Sequence, residues 1–118
     1  MLFRSFGWIR QQVSWADIEP GHKGNFWDGD RGQSTWARID AVAKLASARG
    51  IRVIARIELP PDWARPPGSF RSHPPTNVHD YADFVASVTS RYRGQIDVVQ
   101  VWNEPNLSEE WEIGRAHV

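Results

Sequence analysis

The chain has 118 residues, with 14 Lys and Arg balanced by 14 Asp and Glu, and no Cys. That length allows one small domain with a core and is short for a whole enzyme. The even charge, without a Lys/Arg stripe, gives no basis for binding nucleic acid or an anionic membrane, and the absent thiols exclude a disulfide framework or a thiolate metal site.

No apolar run approaches the ~20 residues of a membrane span. Met1-Leu2-Phe3-Arg4 lacks a charged segment followed by an apolar one, so no signal peptide is read there and the compartment is left open. At the other end, residues 112 to 118 (Glu-Ile-Gly-Arg-Ala-His-Val) resemble the translation of a sequencing adapter. The expectation is a read-through tail over 112–118 behind a partial domain over 1–111.

Gly7 to Ser14, Gly-Trp-Ile-Arg-Gln-Gln-Val-Ser, reads as a strand. A loop with Gly, Pro and Asp follows from Ala16 to Gln33. Ser34 is placed to cap a helix over about Thr35 to Arg49, with Trp36, Ile39, Val42, Ala43 and Ala46 on one face and Gly50 as the stop. The cycle then repeats. Ile51 to Glu58 is a β-branched strand. Leu59 to Thr76 holds Pro60, Pro61, Pro66, Pro67, Pro74 and Pro75, too many for a strand or helix interior. Asn77 caps a helix to about Tyr92, apolar at Val78, Tyr81, Phe84, Val85 and Val88 and closed by Gly94. Ile96 to Trp102 is the third strand.

Strands start near Gly7, Ile51 and Ile96, so one strand–helix unit takes roughly 45 residues, above the ~31 that a minimal eight-unit barrel needs. The surplus sits in the two loops after the strands, and loops of that length are usually functional. Strand–helix alternation predicts a parallel sheet with right-handed crossovers. A doubly wound open sheet alternates in the same way. No Gly-rich phosphate turn follows any strand, however, which disfavours a nucleotide-binding α/β domain.

Val98 to Asn106, Val-Val-Gln-Val-Trp-Asn-Glu-Pro-Asn, says most about chemistry. A strand of this kind is expected to be buried on both faces, so its last residues leave the sheet in a fixed place. Glu104 then sits at the carboxyl end, beside the amide of Asn103 and the ring of Trp102. In a parallel barrel that end is where active sites are built. A carboxyl group in partly apolar surroundings has its pKa raised and can act as a general acid. Asn-Glu-Pro taken alone is equally a polar strand-to-helix turn.

Seven Trp are an excess for this length. Trp15, Trp27, Trp63 and Trp102 fall at or after strand ends, where an indole can stack on a sugar ring or simply pack. Trp8 and Trp36 fall on a strand or helix face and are expected in the core. His22, His73 and His79 lack ligand spacing, so no metal is expected.

In order along the chain, Trp15-Ala16-Asp17-Ile18-Glu19-Pro20, Trp36-Ala37-Arg38-Ile39-Asp40, Gly50-Ile51-Arg52-Val53, Pro60-Pro61-Asp62-Trp63-Ala64, Tyr81 and Phe84 with Arg91-Tyr92, and Trp102-Asn103-Glu104-Pro105-Asn106 form a set. The set resembles the TIM-barrel clan of retaining glycoside hydrolases, most nearly its family 39-like and family 42-like members, across Gly7 to Trp111. The resemblance implies an α/β fold, a fragment of a (β/α)8 barrel covering about the second to fourth βα units. It implies hydrolysis of O-glycosidic bonds in an oligosaccharide or polysaccharide, without a cofactor.

Carried over residue by residue, Glu104 would be the general acid/base. Asn103 would hydrogen-bond the sugar 2-hydroxyl, and Arg10 would hold the active-site carboxylates, unless it is an ordinary paired Arg of the barrel. Glu58 is assigned no chemistry by the family pattern and is read as a substrate contact or a residue behind one. Glu19 is read as fixing its own loop.

Two departures stand out. Arg56-Ile57-Glu58-Leu59-Pro60 lacks the His that cellulase-like relatives place at the end of the third strand, which points away from the family 5 cellulases. The clan's nucleophile is a Glu after the seventh strand, and this chain ends after the fourth. A retaining mechanism needs both carboxyls, so the fragment alone is expected to be inactive. The alternative is a carbohydrate-binding barrel without hydrolysis, in which the same Trp-lined face only holds sugar.

Overall fold

A strand whose alternate residues are apolar can cover one layer of helices, and the three longest strands of this chain do so. The computed structural model describes residues 7–102. Along these run β1 (Trp8–Ser14), α1 (Trp15–Ile18), β2 (Trp27–Asp28), β3 (Gln33–Ser34), α2 (Ala37–Ala48) and β4 (Arg52–Glu58). A short 3-10 turn (Asp62–Ala64), α3 (Val78–Arg91) and β5 (Val98–Val101) complete them. β1, β4 and β5 form a parallel sheet in the order β1-β4-β5, with Ser14 opposite Glu58 and Ile57 opposite Val101. β2 and β3 form a small antiparallel hairpin inside the first long loop.

Parallel strands need a crossover, and α2 and α3 supply the two crossovers here. Val13, Ala55 and Ile57 are fully buried and join the core formed with Ile39 and Ala43 of α2 and Phe84 and Val88 of α3. The side-chain period of two then sends Arg10, Gln12, Arg56, Glu58 and Gln100 to the opposite face of the sheet. α3 starts where the sequence says it should, since the Asn77 side chain accepts the His79 N–H at 2.9 Å. α2 starts later than expected, at Ala37. Ser34 Oγ accepts the Trp36 N–H at 3.2 Å and shapes the turn ahead of the helix instead of capping it.

Four rings stack through the core. Trp15 lies on Phe84 at 5.5 Å, Phe84 on Trp36 at 5.9 Å, and Trp36 on Phe26 at 5.2 Å. They join α1, α3, the residue before α2 and the first loop, elements far apart in sequence. Each aromatic pair is worth about 0.5–1.5 kcal/mol beyond the area it buries.

Several expectations need correction. Trp8 is not core: it is 48 % exposed, and the Arg52 guanidinium lies 4.7 Å from its ring centroid. Its even position in β1 puts it opposite Arg52, on the face away from the helices. Val78, the first residue of α3, is 68 % exposed and is not part of the core. β5 is not buried on both faces. Val98 and Val101 are exposed, since among the described residues β5 pairs on one side alone.

A polar clamp ties α2 to the end of α3. Arg91 Nε and Nη2 donate to the two Asp40 oxygens at 2.8 and 2.7 Å, and Tyr92 Oη donates to Asp40 Oδ1 at 2.6 Å. The Arg91 guanidinium, helped by the Tyr92 hydroxyl, holds the Asp40 carboxyl below its ordinary value against the opposing effect of burial. A depressed carboxylate stabilises the fold above its unfolded pKa of about 3.9, and that contribution is lost as pH falls through the lower folded value. Both partners of the ion pair are about 40 % exposed, so the pair is worth no more than about 1 kcal/mol. Asp40→Asn should therefore lower stability by about that amount at pH 7 in urea unfolding. The gap between parent and variant should shrink below about pH 4; a gap constant from pH 7 to pH 3 would contradict this account.

Candidate active site

The carboxyl ends of the three parallel strands lie in one row. Ser14 ends β1 opposite Glu58, which ends β4. Trp102 follows β5 and extends the ladder, its N–H donating to the Ile57 carbonyl at 3.1 Å. Directly after two of these ends the backbone turns left-handed at residues other than Gly: Leu59 has φ 61° and Trp102 has φ 64°. Each such residue costs on the order of 1 kcal/mol or more, and strain of this kind clusters at functional sites. Leu59 is held by its carbonyl, which accepts the Ala16 N–H at 2.8 Å from the corresponding end of β1.

The sheet face away from the helices is polar. Gln12 Nε2 donates to Glu58 Oε1 at 2.7 Å, and Arg56 Nε approaches the same oxygen at 3.1 Å. Arg10 reaches across β4 to Gln100 on β5, at 3.5 Å, and Gln100 Nε2 donates to the Trp102 carbonyl at 3.0 Å. Arg10 is exposed on this face, while Glu58 is buried. Sequence reading gave Gln12 and Gln100 no role. The signal was partial: Arg10, Gln12, Arg56, Glu58 and Gln100 share one phase of the two-residue period, but Gln11, Ile54 and Val98 break the alternation.

Trp15 and Trp102, expected as sugar-stacking platforms, have enclosed rings in this structure, at 0 and 2 % exposure. Trp15 belongs to the ring stack, and Trp102 packs on Tyr81 at 5.8 Å. Burial pushes the Tyr81 phenol well above its ordinary pKa, and its hydroxyl donates to the Ile57 carbonyl at 2.6 Å. Trp63 is part-buried, edge-on to Trp15 at 5.7 Å, and its Nε1 donates to the Glu19 carbonyl. Trp27 is the open indole of the group, 56 % exposed on the β2–β3 hairpin. It borders a cleft of about 650 Å³ that also touches Gln12, Ser14, Asp28 and Arg38. Asn103 and Glu104 lie outside the described residues, as does the 112–118 segment.

Glu19 acts inside its own loop. Trp15 Nε1 donates to one carboxylate oxygen at 2.6 Å, and the Gly24 N–H donates to the other at 2.8 Å. Among the described residues, no three His, Asp or Glu converge as a metal would require, and no helix is long and apolar enough to cross a membrane.

A parallel sheet with helical crossovers, long loops at the strands' carboxyl ends and a polar face away from the helices is what part of a (β/α)8 barrel presents. The family model for cellulase, glycosyl hydrolase family 5, matches residues 4–118. A comparison with curated proteins finds no match. The chain belongs to glycosyl hydrolase family 5, and with it to the glycoside hydrolases of the TIM-barrel clan, which act on carbohydrates. This corrects the narrower resemblance to families 39 and 42, which the match does not support. The His missing from Arg56-Ile57-Glu58-Leu59-Pro60 is a departure at one position. One side chain at a barrel mouth is easily exchanged, whereas the family pattern extends over the whole chain.

Glu19→Ala should cost about 1–3 kcal/mol, because it leaves the buried Trp15 N–H and the Gly24 N–H without acceptors. Glu19→Gln keeps one acceptor oxygen and should cost less. Equal urea midpoints for parent and Glu19→Ala would show that the loop is held by other contacts.

Proposed function

We propose that this chain forms the acid/base side of a retaining β-glycosidase site, built on about the second to fourth βα units of the barrel. In this reading Glu104 protonates the departing glycosidic oxygen. It then deprotonates the water that resolves the glycosyl-enzyme intermediate. Asn103 holds the sugar 2-hydroxyl, a contact that strengthens as oxocarbenium character develops. Arg10 stands on the polar face of the sheet and orients the carboxylates, and Trp27 and Trp63 flank the sugar. The nucleophile is a second Glu from a later strand of the same barrel, outside residues 1–111.

The row of strand ends supports this reading most directly. Asn103 and Glu104 follow immediately on Trp102, which closes that row beside Glu58 and Ser14. In a parallel barrel, side chains that follow the strand ends face the substrate.

Glu104→Gln keeps the shape of the side chain and removes its proton. Hydrolysis of natural glycosides with poor leaving groups should fall about 10²–10⁴-fold. An activated aryl glycoside departs without protonation, so its first step should be spared and a glycosyl-enzyme should accumulate. Azide needs no base and should release a glycosyl azide of retained configuration. Parent-like hydrolysis of natural substrate by the variant would make Asn103-Glu104-Pro105 a structural turn. Sugar binding by a parent that hydrolyses nothing would favour the carbohydrate-binding alternative.

A further inference from the structure

Trp27 is an open indole on a hairpin that is held firmly at its root and its turn. Its neighbour Phe26 stacks on Trp36 at 5.2 Å, and the Phe26 carbonyl accepts the Thr35 N–H at 3.0 Å. The Asp28 carboxylate accepts the Asp30 and Arg31 N–H groups at 3.0 and 3.1 Å and shapes the turn. Phe26 packs against the core, and Trp27 beside it is left 56 % exposed along one wall of the cleft of about 650 Å³. A cleft of that size is within the range that holds small ligands, about 300–1,000 Å³.

The lining indicates the class of ligand. A flat indole takes the C–H face of a pyranose ring. Around it the cleft offers acceptors in Asp17, donors in Arg38 and both in Gln33. Hydroxyl groups, which donate and accept through one oxygen, can use all three. Three Asp and two Arg line the cleft, so no strong field favours an anionic ligand. A neutral sugar meets each of these conditions.

Position separates this sugar from the one at the cleaved bond. The cleft reaches Gln12 and Ser14 at the carboxyl end of β1. Glu104 follows β5 in sequence, and β5 lies on the far side of β4 from β1. Paired strands stand about 4.8 Å apart, so two spacings, roughly 10 Å, separate the ends of β1 and β5. One pyranose ring is shorter than that. We propose that the cleft beside the β2–β3 hairpin is a subsite for a further unit of a neutral glycan chain, with Trp27 as its stacking platform. This inference rests on the glycosidase reading above. The substrate is then a chain that crosses the row of strand ends, not a single glycoside.

The test uses the whole barrel enzyme that carries this segment. Its probes are an aryl β-monoglycoside that the enzyme hydrolyses and the neutral β-linked di- to hexasaccharides of the same sugar. For the parent, kcat/KM should rise with chain length. Trp27→Ala should lower it about 3- to 10-fold more on the longest chain than on the monoglycoside. Trp27→Phe keeps a flat ring and should recover most of that difference. A structure of the Glu104→Gln enzyme with the longest chain bound should place a pyranose ring on the Trp27 indole.

A cleft filled by another segment of the barrel overturns the proposal, as does a bound chain that leaves Trp27 bare. So does a Trp27→Ala variant that loses the same factor on every substrate. Each of these results leaves hydrolysis by the parent intact and strikes the subsite alone. A parent that hydrolyses no glycoside of the series removes the glycosidase reading itself, and the subsite with it.

Discussion

The stack of Trp15, Phe84, Trp36 and Phe26 is the contact on which the rest of this structure depends. β1, α2 and α3 are joined by long loops, and little in their local sequence says how they should meet. Phe84, 1 % exposed and lying between two indoles, fixes α3 against both the end of β1 and the start of α2. Replacing its ring by a methyl group would remove two stacked contacts at once, and a buried Phe→Ala change ordinarily costs about 3–5 kcal/mol. The Asp40–Arg91–Tyr92 clamp closes the same joint from the solvent side. Once the helices are held, Val13, Ala55 and Ile57 are buried beneath them, and the alternate residues of each strand must face the other way.

That second face turns packing into chemistry. Helix contacts fix the strands, the strands fix their register, and the register aligns Ser14, Glu58 and Trp102 at one end. The left-handed backbone at Leu59 and Trp102 is tolerated because neighbouring strands hold it through the Ala16–Leu59 and Trp102–Ile57 hydrogen bonds. After Ser14 and Glu58 the chain leaves the sheet along defined directions. The Glu19 carboxylate then locks the first loop, through Trp15 on one side and Gly24 on the other. A barrel enzyme needs this combination, with a rigid platform below and strand ends that launch long loops above it.

Much of this was legible in the sequence. The β-branched run of Ile51 to Glu58, the Asn77 cap and the positive-φ Gly50 and Gly94 each state a local preference that the tertiary structure agrees with. The parallel order followed from strand–helix alternation. The orientation of particular rings was not legible, because periodicity shows that a Trp faces inward and not which neighbours enclose it. Trp15 and Trp102 were read as open platforms from their place at strand ends, and tertiary packing closed over both. Trp8, read as core, is exposed because it lies on the sheet face away from the helices, and which face a strand residue takes is settled by packing across the sheet. The β2–β3 hairpin was hidden because two-residue strands carry no period at all. The Gln12–Glu58 contact spans 46 positions, and no local pattern encodes it.

The account is tested most directly by trapping the glycosyl-enzyme with a 2-deoxy-2-fluoro aryl β-glycoside and determining its structure. The sugar should lie over the carboxyl ends of β1, β4 and β5, covalently bound to a Glu from a later strand. The Glu104 carboxyl should stand about 5–5.5 Å from that nucleophile. A sugar bound away from these strand ends, or carboxyls about 6.5–9.5 Å apart with no covalent bond, would contradict it.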